Sequence, residues 1–202
     1  MTDTTVPPAT TEDDDRPRAS FHAMTEGTKA DWEKIAIGNM ELAVGLPDRA
    51  LDQLRALGGD FGGFAVDRLE HSLQTATRAE RAGRDDEYVY CALMHDVGDL
   101  LGTFNHADIA AAIVKPFVSE QNHWIVEKHA IFQGYYFFHH LGLDRDMRER
   151  FRGHEWFDAC AEFCHEYDQP AFDPGYDTLP LGHFEPLVRD MMRSPKHSIY
   201  MK

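Results

Sequence analysis

Apolar residues along this chain recur at helical intervals, and no segment alternates as a strand would. From Thr28 to Val44 the residues Trp32, Ile35, Ile37, Met40 and Leu42 follow at roughly helical spacing, and Leu46-Pro47-Asp48 restarts a short helix through Leu57. Gly58-Gly59-Asp60-Phe61-Gly62-Gly63 then breaks the pattern, which marks a turn or a close backbone approach. The run from Val66 to Ala82 places Leu69, Leu73, Ala76 and Ala79 on one stripe and ends at Gly83, the residue a helix C-terminus favours. Asp85-Asp86-Glu87 opens the next helix with acids at its positive end, and Tyr88, Cys91, Ala92 and Leu93 carry it inward to His95 before Gly98 stops it. Asn105 is expected to cap a helix from His106 to Phe117, and Ser119 to start another towards His140. Leu143 to Phe151 and Trp156 to His165 complete the set. The expected class is all-α, a helical bundle forming one domain over residues 21–202. Residues 1–20, rich in Thr, Pro and Asp, carry too few large apolar side chains to offset their ordering entropy and are expected to be a disordered tail.

Composition narrows the function classes. At 202 residues one domain can bury roughly 70% of the surface its unfolded chain exposes, so no disulfide framework is required for folding. No apolar run approaches the roughly 18 residues of a membrane span or has the form of a secretory leader, and the cytoplasm is the expected location. The formal charge of −15 argues against non-specific nucleic-acid binding, which needs a clustered basic footprint. A small anionic substrate is compatible with it, because a few local cations can dominate a pocket. Cys91, Cys160 and Cys164 form no CxxC pair and suit a reducing compartment. The 12 histidines are more than a chain of this size usually carries, and they direct attention to metal chemistry.

The apolar run Ala92-Leu93-Met94 ends in His95-Asp96. Burying an imidazole and a carboxylate without partners costs several kcal/mol, so the dipeptide needs something to bind. A metal pair supplies it: the histidine takes one ion, and a carboxylate with two oxygens can bridge two. His71 lies one helix earlier on an inward face beside Leu73. His106 stands near the start of a later helix, His129 in the middle of the next, and Asp168 within Phe163-Cys164-His165-Glu166-Tyr167-Asp168-Gln169. Taken singly, a histidine on an apolar face is more often a hydrogen-bonded core residue than a ligand. It is their order, each on its own helix, that points to metal. Ligands at His71, His95, Asp96, His106, His129 and Asp168 exceed the needs of a tetrahedral structural zinc and suit a two-metal site with open positions.

Leu69-Glu70-His71-Ser72-Leu73-Gln74 with Ala92-Leu93-Met94-His95-Asp96-Val97-Gly98 resembles the motif pair of the HD-domain superfamily, in the branch of the phosphonate-cleaving HD-domain oxygenases and, more distantly, myo-inositol oxygenase. Asn105-His106-Ala107-Asp108, Glu127-Lys128-His129 and Tyr167-Asp168-Gln169 fall where that branch carries its remaining ligands, and the resemblance runs from about Phe61 to Asp173. It implies an HD helical bundle holding two iron ions as a mixed-valent Fe(II)/Fe(III) pair, other divalent metals being compatible with the same ligands. It also implies O2 and a small hydroxylated substrate as partners, with a C–P or C–C bond opened and a 1-hydroxyphosphonate as the favoured substrate. The sequence departs from that pattern where relatives carry a lid tyrosine and glutamate, since Phe61-Gly62-Gly63-Phe64 stands here and neither phenylalanine can ligate a metal. Gln133 replaces a substrate-holding lysine, and Asp99 is the residue three after the HD aspartate. Asp96, Asp99 and Gln133 are accordingly the expected catalytic positions. An HD phosphohydrolase acting on a nucleotide or phosphate monoester is the alternative enzyme reading, weakened by the lack of a cationic or glycine-rich phosphate cradle. A non-catalytic module with one structural metal is the third reading.

The aromatic block Gln133 to His140 reads as core packing, or as a pocket wall in which Tyr135 or Tyr136 meets a quaternary ammonium group. In a helix His139 and His140 would diverge by about 100° and share no ion, one packing and the other exposed. Lys115, Lys128, Arg68 and Arg78 are the cations best placed for an anionic substrate. Cys160 and Cys164 stand one turn apart and should face the core, and Asp173-Pro174-Gly175-Tyr176-Asp177 reads as a turn.

Overall fold

Side-chain caps start the helices at several of the places the sequence marks. In a computed structural model, which describes residues 17–200, Thr28 Oγ1 accepts from the Asp31 amide while the Asp31 carboxylate reaches back to the Thr28 amide. Asp67, Asp85 and Ser119 each accept from the amide three residues on, one of the donors a helix start leaves unpaired. Asn105 is a correction. It stands at the expected boundary, but its side chain makes no capping bond, and its carbonyl alone accepts from the amides of Asp108 and Ile109. Most of the expected N-terminal tail, residues 1–16, lies outside the described residues.

The chain divides into two compact units, residues 1–45 and 46–202. The first holds a short 3₁₀ turn, Met24–Glu26, and helix α1, Lys29–Val44. Its apolar residues do not form a core stripe. Ile37 and Met40 are exposed, and the buried residue of the helix is the capping Asp31. Capping, rather than apolar packing, defines where this helix begins.

The second unit contains α2 (Leu46–Ala56), α3 (Arg68–Arg81), α4 (Asp86–Met94), α5 (His106–Val114), α6 (Glu120–Phe137), α7 (Phe157–Glu162) and α8 (Leu181–Arg193). No strand occurs among the described residues. At its centre is α4, where every residue from Tyr88 to Met94 is buried and α3, α6 and α8 pack around it. A helix covered on all sides has no need of a polar face, which explains its uniformly apolar sequence. Full burial of Leu93 and Met94 contributes roughly 1.5–3 kcal/mol each.

Helix α3 ends as Gly83 predicts. Gly83 adopts φ 77°, and the Arg84 amide reaches back to the Ala79 carbonyl at 3.1 Å, the bond that closes a left-handed helix terminus. The run after Ser119 is helical only to Phe137, beyond which Phe138–Leu141 tightens into a 3₁₀ turn. That tightening corrects the expectation for His139 and His140. Their rings lie 3.9 Å apart and both are exposed, where one was expected to pack. The segment before Phe151 forms only a 3₁₀ turn, Met147–Phe151. Helix α8, unanticipated from the sequence, buries Phe184, Val188 and Met192. It contains Pro186, the residue type that argues against a helix interior.

Candidate metal centre

Five segments of the chain converge beyond the C-terminal end of α4. His95 is the residue that ends the helix, and Asp96 follows in the turn before α5. His106 is the first residue of α5, and Gly98 lets it come close: a Cβ on Gly98 would lie 2.4 Å from the His106 carbonyl oxygen and 2.8 Å from Ile109 Cβ. His71 projects from the first turns of α3 and His129 from the middle of α6. Asp168 ends a π-helical turn, Phe163–Asp168, that extends α7, closed by the Gln169 amide on the Cys164 carbonyl at 2.9 Å. Cys160 and Cys164 face the α6 carbonyls of Ile125 and His129 from this segment, as their one-turn spacing predicts.

The tautomers follow from the backbone. His71 Nδ1 lies 3.0 Å from the Ala171 carbonyl, His95 Nδ1 2.8 Å from that of Ala92, and His129 Nδ1 2.7 Å from that of Val126. A carbonyl oxygen only accepts, so each Nδ1 carries the proton and each Nε2 presents a lone pair. Those lone pairs point at one another and at carboxylates. His71 Nε2 and His95 Nε2 are 3.2 Å apart, and each is 3.4 Å from Asp96 Oδ2. Asp168 Oδ1 joins them, 3.3 Å from His71 Nε2. On the other side, His129 Nε2 and His106 Nε2 lie 3.1 and 3.3 Å from Asp96 Oδ1. His71, His95, Asp96, His129 and Asp168 are at most about 15% exposed in their side chains.

Lone pairs facing lone pairs need a cation between them. Without an ion the conflict is resolved by protons. Burial pushes His71 down, but Asp168 and Asp96 outweigh it and raise its pKa to about 10, whereas burial lowers His95 to about 4 against those same carboxylates. Asp96 is held well below the usual carboxylate range: burial opposes this, and the surrounding imidazoles of His95, His129 and His71 outweigh it, the last two by hydrogen bonds. Asp168 Oδ2 is buried with no hydrogen-bond partner, a deficit of about 1–3 kcal/mol unless something meets it. Imidazole nitrogens and carboxylate oxygens are the donors that iron, zinc, manganese and cobalt accept, and the His/Asp cluster could hold metal. Its donors fall into three overlapping groups, His71 with His95 and Asp168, His95 with Asp96 and His129, and Asp96 with Asp99 and His106.

A cavity of about 390 Å³ opens onto this cluster, within the range of small-molecule sites. Its wall includes Phe64, Phe172, Tyr136 and Phe137. Phe172 stacks on the His71 ring at 4.2 Å and on Phe64 at 4.8 Å. Tyr136 lines the cavity, but Tyr135 does not: Arg148 and Arg145 lie over its ring at 3.7 and 4.3 Å. Gln133 Nε2 donates to Asp168 Oδ1 at 3.0 Å. Asp99 is ion-paired with Arg68 and lies 3.3 Å from His106 Nδ1. Of the cations singled out in the sequence, Arg68 reaches the cavity wall, while Lys128 pairs with Glu127 and Arg78 donates to the Pro170 carbonyl.

Over 78 residues the chain is 36% identical to a "[1-hydroxy-2-(trimethylamino)ethyl]phosphonate dioxygenase (glycine-betaine-forming)" of Leisingera caerulea. That stretch is 38% of this chain and 37% of that protein, so the chain spans well under half the length of the relative it matches. No family model matches. No described helix is long and apolar enough to cross a membrane. Sequence reasoning overlooked Phe172 and the Ala171 carbonyl that orients His71. A backbone acceptor 100 residues away leaves no mark in residue type, although a phenylalanine so close to Asp168 could have drawn attention.

Proposed function

We propose that this protein is an HD-type oxygenase using two iron ions and O2 to open the C–P bond of a small 1-hydroxyphosphonate. The observation that carries the reading is the division of four histidines by one carboxylate, with Asp96 Oδ2 facing His71 and His95 and Oδ1 facing His106 and His129. The partial likeness to a phosphonate dioxygenase supports it. In the overall reaction the C–P bond breaks, both oxygen atoms of O2 are taken up, and the carbon leaves as a carboxylic acid and the phosphorus as phosphate. Bound iron would supply Lewis acidity towards the substrate's oxygens and the redox capacity that O2 chemistry needs.

The chain's own residues select and hold the substrate. Arg68 offers positive charge beside the otherwise acidic wall formed by Asp67, Asp96, Asp99 and Asp168. Gln133 Nε2 is engaged in holding Asp168, and its amide oxygen is buried without a hydrogen-bond partner. Phe64, Phe172, Tyr136 and Phe137 line the cavity with aromatic rings. Their faces suit an N-methylated ammonium group, which gains on the order of 1 kcal/mol from an aromatic ring. This favours a substrate with a phosphonate at the metal end and a quaternary ammonium at the aromatic end.

The deciding experiment measures phosphate release from 1-hydroxyphosphonates, with and without a trimethylammonium group, under air and under anaerobic conditions. Metal analysis and EPR spectroscopy accompany it. Oxygen-dependent release with an Fe(II)/Fe(III) signal perturbed by substrate is expected. Equal release without oxygen would replace the oxygenase reading with hydrolysis.

A further inference from the structure

The four histidines are not oriented alike. His71, His95 and His129 turn their Nδ1 atoms to backbone carbonyls, which are neutral and held by the fold. His106 is the exception, since its Nδ1 lies 3.3 Å from a carboxylate oxygen, Asp99 Oδ1. His106 is also the more exposed of the four, its side chain 25% accessible against 6% or less for the others, and as the first residue of α5 it lacks a preceding helical turn to pack on. Its ring therefore depends on a side chain for its orientation.

Asp99 is suited to that task and itself firmly held. It is 5% exposed, its other oxygen is paired with Arg68, and its carbonyl accepts from Thr103 Oγ1 at 3.1 Å. Arg68 in turn is tied to the glycine-rich loop, its Nε 3.4 Å from Asp60 Oδ2 and its amide 3.1 Å from the Asp60 carbonyl. A continuous chain of charged contacts thus runs from Asp60 through Arg68 and Asp99 to His106, whose Nε2 faces Asp96.

Resting on the two-ion reading above, we propose that Asp99 is a positioning residue for the second ion: its carboxylate, locked by Arg68, holds His106 Nδ1–H so that Nε2 presents its lone pair beside His129. A carboxylate on the far nitrogen both fixes the ring and makes the near nitrogen a stronger donor than a carbonyl does, and losing such a partner typically weakens metal affinity about 10–100-fold. Asp99 thereby distinguishes the two ions. The ion facing His71, His95 and Asp168 is served by histidines set by the backbone, whereas one of the other ion's two histidines, His106, depends on a charge network that reaches the glycine-rich loop.

The test is metal binding, read without turnover. Fe(II) and, separately, Co(II) are titrated into metal-free wild type, Asp99→Ala, Asp99→Asn and the neutral pair Arg68→Gln/Asp99→Asn, with stoichiometry and stepwise affinity measured and the fold checked by circular dichroism. Wild type should bind two ions. Asp99→Ala should retain one with unchanged affinity and bind the other about 10–100-fold more weakly. Asp99→Asn, whose amide oxygen still accepts from Nδ1–H, should recover most of that loss, and the neutral pair covers the case in which Ala leaves Arg68 unpaired and the fold fails. Unchanged second-ion affinity in the Ala variant, or the same loss in Asp99→Asn as in Asp99→Ala, overturns the proposal. The second outcome would make Asp99 a ligand. A wild type that binds only one ion would instead refute the two-metal reading itself, so the two failures are distinguishable.

Discussion

Asp96 meets four imidazoles with two oxygens, and the consequences of removing it differ from those of removing any single histidine. On the proposed two-ion reading, Asp96→Ala would delete a ligand from both ions at once, so metal content should fall from about two per chain to below one and activity should vanish. His106→Ala and His129→Ala should each lower the content from about two towards one while the fold persists, because the remaining ligands still tie α3, the end of α4 and the π-turn together. Metal analysis on purified variants checks both expectations, and two ions retained by Asp96→Ala would exclude a bridging role. His139→Ala is the control. That residue is exposed and outside the cavity, so metal content should not change. At this scale the sequence was informative about identity and silent about orientation. His95-Asp96 at the end of an apolar run announced a buried ionisable pair, but which oxygen of Asp96 faces which ring depends on helices that meet only in the folded chain.

Helix ends, more than helix middles, decide where the ligands sit. Gly98 permits α5 to start against the turn that carries Asp96. Gly98→Ala would drive a methyl group into the His106 carbonyl and Ile109, at a cost of about 1–3 kcal/mol as for other overpacking changes. A lowered melting temperature together with weakened binding of the second ion is expected, and full retention of both would mean that the close approach is not required. Asp85→Ala removes only the cap of α4 and should lower stability by about 1 kcal/mol, measurable by denaturant unfolding, with both ions still bound. The caps at Thr28, Asp67, Asp85 and Ser119 were legible because each is a local device of one side chain and one amide. The π-turn before Asp168 was not. A single widened turn has no residue signature, yet it helps determine which way the aspartate faces.

Over the whole second unit, one carboxylate links three segments. Glu87 at the start of α4 accepts from the Ser119 amide and from Asn122 Nδ2, both at 2.7 Å, and pairs with Lys196 near the C-terminal end. Burial alone would raise its pKa, but these donors outweigh it and bring it from 4.5 to about 2. A carboxylate with a lowered folded pKa stabilises fully above its unfolded value and progressively less below it. Its contribution should therefore be present above about pH 4.5 and lost as pH falls towards about 2. Denaturant midpoints of wild type and Glu87→Gln should differ near neutral pH and converge in acid, and a gap independent of pH would remove Glu87 from the account of acid stability. Helix α8, which packs on α2 and α4, escaped detection because Pro186 and a short apolar stripe resemble a loop until a neighbouring groove exists to receive Phe184, Val188 and Met192. By itself the sequence determined the helical class, most helix starts, the buried core of α4 and the residue types able to hold metal, since periodicity, capping and the cost of burying charge act over a few residues. Only the tertiary structure decided that Asp96 stands between two pairs of histidines, that Ala171 orients His71, and that Asp99 faces His106, because those relations join residues far apart in the chain through directional contacts that no local pattern encodes.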